Sequence, residues 1–225
     1  ILYGAKKLGM HIHTRYEVSN NAGQDICDIV NNEGFDFLLV GSGISMSDSP
    51  DDIAATRYRT SFYNRYFKRF KAPESWFYPG ALLKDKTKMF IARSNCDVGV
   101  FINRNFVKAT NTLVVISSEE DLFLLDYTRT LLKATHGSVG IVAKMSTTTP
   151  GHDQILKELW DFVSSIPQTQ LLPDKDLTPG LFNSYNFMLI GYNTWNDVSE
   201  HRKEALQKMP STLILNKNRR SSSDN

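Results

Sequence analysis

The sequence predicts an α/β fold on a doubly wound, mainly parallel sheet, and three observations carry that prediction. The first is a series of short runs that are apolar almost throughout: "FDFLLVG" (35–41), "CDVGVFI" (96–102), "NTLVVIS" (111–117), "SVGIVAKM" (138–145), "YNFMLIG" (185–191) and "STLILN" (211–216). A strand with one wet face alternates apolar and polar residues, so a continuous run marks a strand covered on both faces. The second is that amphipathic stretches separate these runs, which supplies helices to cover both faces. The third is an internal repeat, described below.

Taken in order, "MHIHTRYEV" (10–18) alternates around Ile12, Thr14 and Tyr16 and reads as a strand. "AGQDICDIVNNEG" spaces Ile26, Ile29 and Val30 as a helix does and ends on Gly34, a glycine placed to stop it. "LLKDKTKMFIARSN" (82–95) is amphipathic through Leu82, Leu83, Met89 and Phe90. "EEDLFLLDYTRTLLKATHG" (119–137) opens with acids and closes with Lys133 and Gly137, charges that suit a helix dipole. "GHDQILKELWDFVSSIP" is a helix stopped before Pro167, and "DVSEHRKEALQKM" (197–209) is the last helix. The polar tail 219–225 is expected to be disordered. "ILYGAKKLGM" reads as a helix already under way, so a fragment of a longer protein is expected.

Composition narrows the function without naming it. Of 225 residues 41% are hydrophobic and 22% charged, with a net charge of +2, so no global field selects a nucleic-acid or lipid partner. No run approaches the roughly 20 apolar residues of a membrane span. Cys27 and Cys96 lie in apolar settings and are expected to be buried, reduced thiols.

In the repeat, "FDFLLVG" (35–41) matches "YNFMLIG" (185–191), and "VFINRN" (100–105) matches "LILNKN" (213–218). Two copies of one α/β unit are therefore expected, residues 1–108 and 109–218, the first lacking its opening strand and helix. On this alignment the first copy carries an insertion of about 37 residues, spanning 44–81, between its matched strands.

Three stretches invite a functional reading. Gly41, Ser42, Gly43 and Ser45 end an apolar strand, where backbone N–H groups can converge on an anion. No Walker sequence accompanies them, Asp48, Asp51 and Asp52 would repel phosphate, and a tight turn explains the glycines equally well. Arg57–Lys71 interleaves cations with aromatics. It suits a helix packed on its own domain, a docking surface or an anionic membrane face better than single-stranded nucleic acid. Ser117 and Ser118 precede Glu119, Glu120 and Asp121, as a serine cap with acids on a helix dipole or as a strand-end ligand contact. The histidines offer no third ligand beside His11 and His13, so no zinc site is expected. No Ser–His–Asp or Cys–His arrangement stands out, which points away from an enzyme.

"NCDVGVFINRNF" followed by "TNTLVVISSEEDLFLLDYTRTLLKATHGSVGIV" resembles the cytosolic C-terminal region of monovalent cation/proton antiporters, the branch of the plant cation/H+ exchangers. The matching strand is Val98 to Arg104 and the matching turn Ser117 to Asp121, where that family usually carries Gly-Gly. The resemblance implies two tandem universal-stress-protein-like units behind a transmembrane antiporter domain of the same chain. It implies a membrane protein with this part on the cytosolic side, regulatory and non-catalytic, with a homodimer as the expected assembly. An adenine nucleotide is the candidate ligand, although the glycine pattern of ATP-binding stress proteins is interrupted after Gly43. A standalone universal-stress-type nucleotide-binding protein and an ATP-cleaving α/β enzyme are the alternatives.

Overall fold

The computed structural model describes residues 16, 18–41, 85–145, 151–173, 177–201 and 208–218. Most of the strand expected at 10–18, the insertion 44–81 with Arg57–Lys71, and the tail 219–225 lie outside them, as do His11 and His13.

The elements follow the apolar runs. They are α1 (Ala22–Asn32), β1 (Phe37–Gly41), α2 (Asp85–Arg93), β2 (Asp97–Ile102), β3 (Asn111–Ile116) and α3 (Leu124–Thr135). Then come β4 (Ser138–Ala143), α4 (His152–Ser165), β5 (Thr169–Pro173), α5 (Pro179–Phe182), β6 (Phe187–Gly191), α6 (Tyr192–His201) and β7 (Ser211–Asn216). Gly34, just past α1, has φ +68°, the left-handed turn that glycine adopts at no steric cost. The Asn21 side chain accepts from the Gln24 N–H at the other end of α1.

All seven strands form one sheet in the order β1-β2-β7-β6-β3-β4-β5. Every neighbouring pair is parallel except β2–β7, which is antiparallel. One face is covered by α3 and α4, through Leu124, Leu132, Ile155, Leu159 and Phe162 against Val114, Ile116, Ile141 and Leu189. The other is covered by α5 and α6, through Phe182, Trp195 and Val198 against Leu113, Val115, Met188, Ile190 and Ile214. On that same face Cys27 of α1 and Phe90 of α2 pack on Val98. Helices on both faces account for the doubly apolar strands. Both cysteines are buried, and neither forms a disulfide.

The ladders on either side of the antiparallel seam share one register. Phe37 to Gly41 lie opposite Asp97 to Phe101, and Phe187 to Gly191 lie opposite Ser211 to Leu215. Matching β1 to β6 thus places Asp97 with Ser211 and Val100 with Ile214, one residue beyond the alignment of "VFINRN" with "LILNKN". Across the seam Val100 sits directly opposite Ile214. The strand ends agree with this correspondence. The Arg104 N–H donates to Ser211 Oγ at 2.8 Å, and the Asn218 N–H donates to Asp97 Oδ1 at 2.9 Å. Each strand's first side chain holds the backbone just past the other strand's last residue.

Candidate functional site

In a sheet of this kind the favoured ligand crevice lies beyond the carboxyl ends of the strands where the winding direction reverses. Here that point is between β3 and β6, because the chain leaves β3 toward β4 and β5 and returns on β3's other side as β6. Ser117 follows the end of β3, and Gly191 ends β6.

The crevice is filled from within. Asp121, at the end of a 3₁₀ turn (Glu119–Asp121), is only 2% exposed. Its Oδ2 accepts from the Ser117 N–H at 2.8 Å, the Ser118 N–H at 3.2 Å, the Ser117 hydroxyl at 3.2 Å and the Thr194 hydroxyl at 2.6 Å. The Ser117 and Thr194 hydroxyls also touch each other. Its Oδ1 lies against Gly191, where a methyl group would collide with it. A buried carboxylate needs such donors to offset its lost hydration. They are the same converging N–H groups that a strand-end anion site would offer to a ligand.

Beside this plug an open depression of about 1120 Å³ is walled by Glu120, Asp126, Glu158 and Asp161, with Arg129 and Lys217 as its cations. The Asn193 amide donates to Glu120 at 2.8 Å and so ties α6 to the turn. Arg129 lies over the Phe162 ring, 5.0 Å from its centroid, and reaches Asp126 at 3.3 Å. The walls are predominantly acidic and favour no phosphate.

The expected site residues divide into separate places. Ser117 and Ser118 are at the plug. Gly41 ends β1, four strand spacings away, which is about 19 Å across the sheet. Because the β2–β7 pairing reverses direction, β1 and β3 also end at opposite rims of the sheet. Ser42, Gly43 and Ser45 lie outside the described residues. Gly41 and the serine pair therefore cannot serve one small ligand together. Sequence reasoning took Asp121 only as an acid on a helix dipole and passed over Thr194. The signal was the spacing Ser118-x-x-Asp121, in which the acid's side chain reaches back to the N–H of the capping residue.

The perturbed groups are elsewhere. Tyr127 donates to Asp97 Oδ2 at 2.8 Å, and its ionisation is pushed well above the ordinary 10.0 by burial first and by that carboxylate second. Burial raises the Cys27 thiol, which the Ser94 hydroxyl and Arg93 only partly offset, so its thiolate is disfavoured. Among the described residues no three His, Cys, Asp or Glu side chains gather as metal ligands. No helix among them is long and apolar enough to cross a membrane.

No protein-family model matches the chain, and no curated protein matches it. Among solved structures it is similar to a universal stress protein from Archaeoglobus fulgidus, with a TM-score of 0.43, 9% identity, and coverage of 91% of this chain and 95% of that one. It is also similar to a candidate universal stress protein from Pseudomonas aeruginosa, with a TM-score of 0.48, 10% identity, and coverage of 96% and 76%. A functionally unknown protein of the same species gives a TM-score of 0.47 at 10% identity, with coverage of 96% and 75%. At this level they assign neither ligand nor activity to the chain.

Proposed function

We propose that the chain is a non-catalytic regulatory domain of a membrane Na+/K+:H+ antiporter, built from two copies of a universal-stress-protein-like unit. The transporter half of this reading rests on the resemblance around Cys96–Val142. The duplication is supported by the shared register of the two ladders and by the paired Arg104–Ser211 and Asn218–Asp97 bonds.

The observation that carries the non-catalytic half is Asp121. In the second unit the place for a phosphate is taken by the protein's own carboxylate, and four donors converge on one of its oxygens. That arrangement is a structural closure rather than a poised reactive group. Nucleotide sensing, where it occurs, falls to the first unit and its Gly41–Ser45 turn, with an adenine nucleotide as the candidate ligand. Homodimerisation and a membrane-face contact through Arg57–Lys71 complete the proposal, with no role for nucleic acid.

The native transcript tests the transporter assignment. An open reading frame with a series of hydrophobic spans upstream of Ile1 supports it, and a start codon a few tens of residues upstream removes it. A thermal-shift screen with nucleotides tests the sensing assignment. A shift abolished by Gly43→Trp and retained in Asp121→Asn places the ligand in the first unit. Phosphate or pyrophosphate released from ATP would turn the reading toward an enzyme.

A further inference from the structure

One stretch of chain joins the two sides of the antiparallel seam. α1, β1, α2 and β2 all precede residue 103, and β3 to β7 with their helices all follow residue 110. No disulfide ties the sides together, so the eight residues NRNFVKAT (103–110) are the covalent passage between them.

That passage runs along one rim of the sheet. It leaves β2 at Ile102, opposite Thr212 of β7, and enters β3 at Asn111, beyond the starts of β7 and β6. Three strand spacings make that span about 14 Å. Its ends are pinned. The Arg104 N–H donates to Ser211 Oγ at 2.8 Å, and the Thr110 and Asn111 N–H groups donate to Asn186 Oδ1 at 3.2 and 3.1 Å. Its middle takes up the slack in a left-handed turn, with Asn105 at φ +58°, a conformation that side chains disfavour. Phe106 folds back onto Phe101 and Phe187, with ring centroids 5.5 and 5.2 Å away, while Val107 is 92% exposed.

Exchanging whole halves between two copies keeps every contact across the seam. Val100 still faces Ile214, Arg104 still reaches Ser211, and Asp97 still accepts from Asn218 and Tyr127. The closed chain and the exchanged pair differ in the passage alone, and strain in such a hinge favours exchange.

We propose that the homodimer of this chain forms by exchange of halves. Residues 1–102 of each copy complete the sheet on residues 111–218 of the other, and 103–110 is the hinge. The partner is a second copy, and the surface it uses is the seam itself. The inference rests on the homodimer proposed above and not on the transporter assignment. Exchange releases Asn105 from its left-handed turn and brings the two hinges together, so that Val107 of each copy meets an apolar neighbour. The two forms cross over at the effective concentration of the tethered halves, on the order of millimolar for a relaxed hinge and lower for a strained one.

The test co-expresses two differently tagged copies of the full chain, one of them carrying a photoreactive group at Leu213, which faces Phe101. Size exclusion with light scattering separates monomer from dimer before illumination. In the dimer about half of the labels at Phe101 should fall on the other tagged copy, since exchange partners are drawn at random. Deleting Asn105–Lys108 leaves about 17 Å of fully extended chain for the span, so the dimer should appear at a concentration at least tenfold lower. Inserting Gly-Ser-Gly-Ser after Val107 should move it the other way. Slow exchange of the Asn218 amide identifies a variant in which the seam still forms, and the labelling of the unaltered hinge decides the question if the deletion does not fold. A dimer whose labels stay within one copy overturns the exchange and leaves an ordinary homodimer standing. A chain that remains monomeric at millimolar concentration overturns the homodimer as well. A dimer fraction indifferent to hinge length also overturns the exchange.

Discussion

β1 and β6 carry nearly the same residues, FLLVG and FMLIG, and hold the same register against the next strand, yet they stand in different surroundings. β6 lies between two strands under helices on both faces, and its Leu189 is 2% exposed. β1 lies at the rim, and its Leu39 is 59% exposed. The difference teaches that an apolar run reports that a strand forms, while its place in the sheet, central or at the rim, is decided by the pairing of distant segments. It also separates the two glycines that end these strands. Gly191 is pressed by Asp121, whereas Gly41 is exposed.

The comparison can be broken most directly in the buried strand. Leu189→Ala should cost about 3 kcal/mol, in the usual range for a buried leucine truncated to alanine. For a chain of this size that lowers Tm by roughly 6–12 °C. Denaturant unfolding checks it, and a loss as small as that of an exposed site would contradict the packing described for β6. Next in size is the plug. Asp121→Ala strands the Ser117 and Ser118 N–H groups and the Thr194 hydroxyl, at about 2 kcal/mol for hydrogen bonds to a charged group. Asp121→Asn should recover part of that, because its amide oxygen still accepts.

The seam gives a smaller and more pointed test. Ser211→Ala removes the acceptor of the Arg104 N–H and should cost about 1 kcal/mol. Asp97→Ala should cost more, because Asp97 also accepts from Tyr127. That tyrosine makes the seam sensitive to alkali. Its ionisation is raised above the ordinary 10.0 on folding, so its contribution is intact below that pH and is lost as pH climbs beyond it. Cys27, raised from 9.0, adds to the loss in the same direction from a somewhat lower pH. Tm measured from neutral to strongly alkaline pH should fall in the wild type and fall less steeply in Tyr127→Phe. The smallest effect belongs to the exposed strand, where Leu39→Ala should change stability by no more than about 0.5 kcal/mol.

Much of the fold was legible because it is written locally. Continuous apolar runs marked six of the seven strands, and Gly34 marked the end of α1. β5 was passed over because TQLLP is short, polar at its start and closed by proline, so neither periodicity nor composition distinguishes it from a loop. The antiparallel seam was not legible either, since which strands become neighbours is decided by packing between distant segments. At the candidate site, Ser117 and Ser118 were found as strand-end residues. What occupies their N–H groups depends on a side chain turned back into the sheet and on Thr194, which arrives from 73 residues further along. No spacing rule of a single strand or helix reports such an encounter.

One consequence follows from the reversal between β2 and β7. The carboxyl ends of β1 and β2 lie at one rim of the sheet and those of β3 and β6 at the opposite rim, like the two faces of a coin. Whatever settles at one pole has no direct touch with the other.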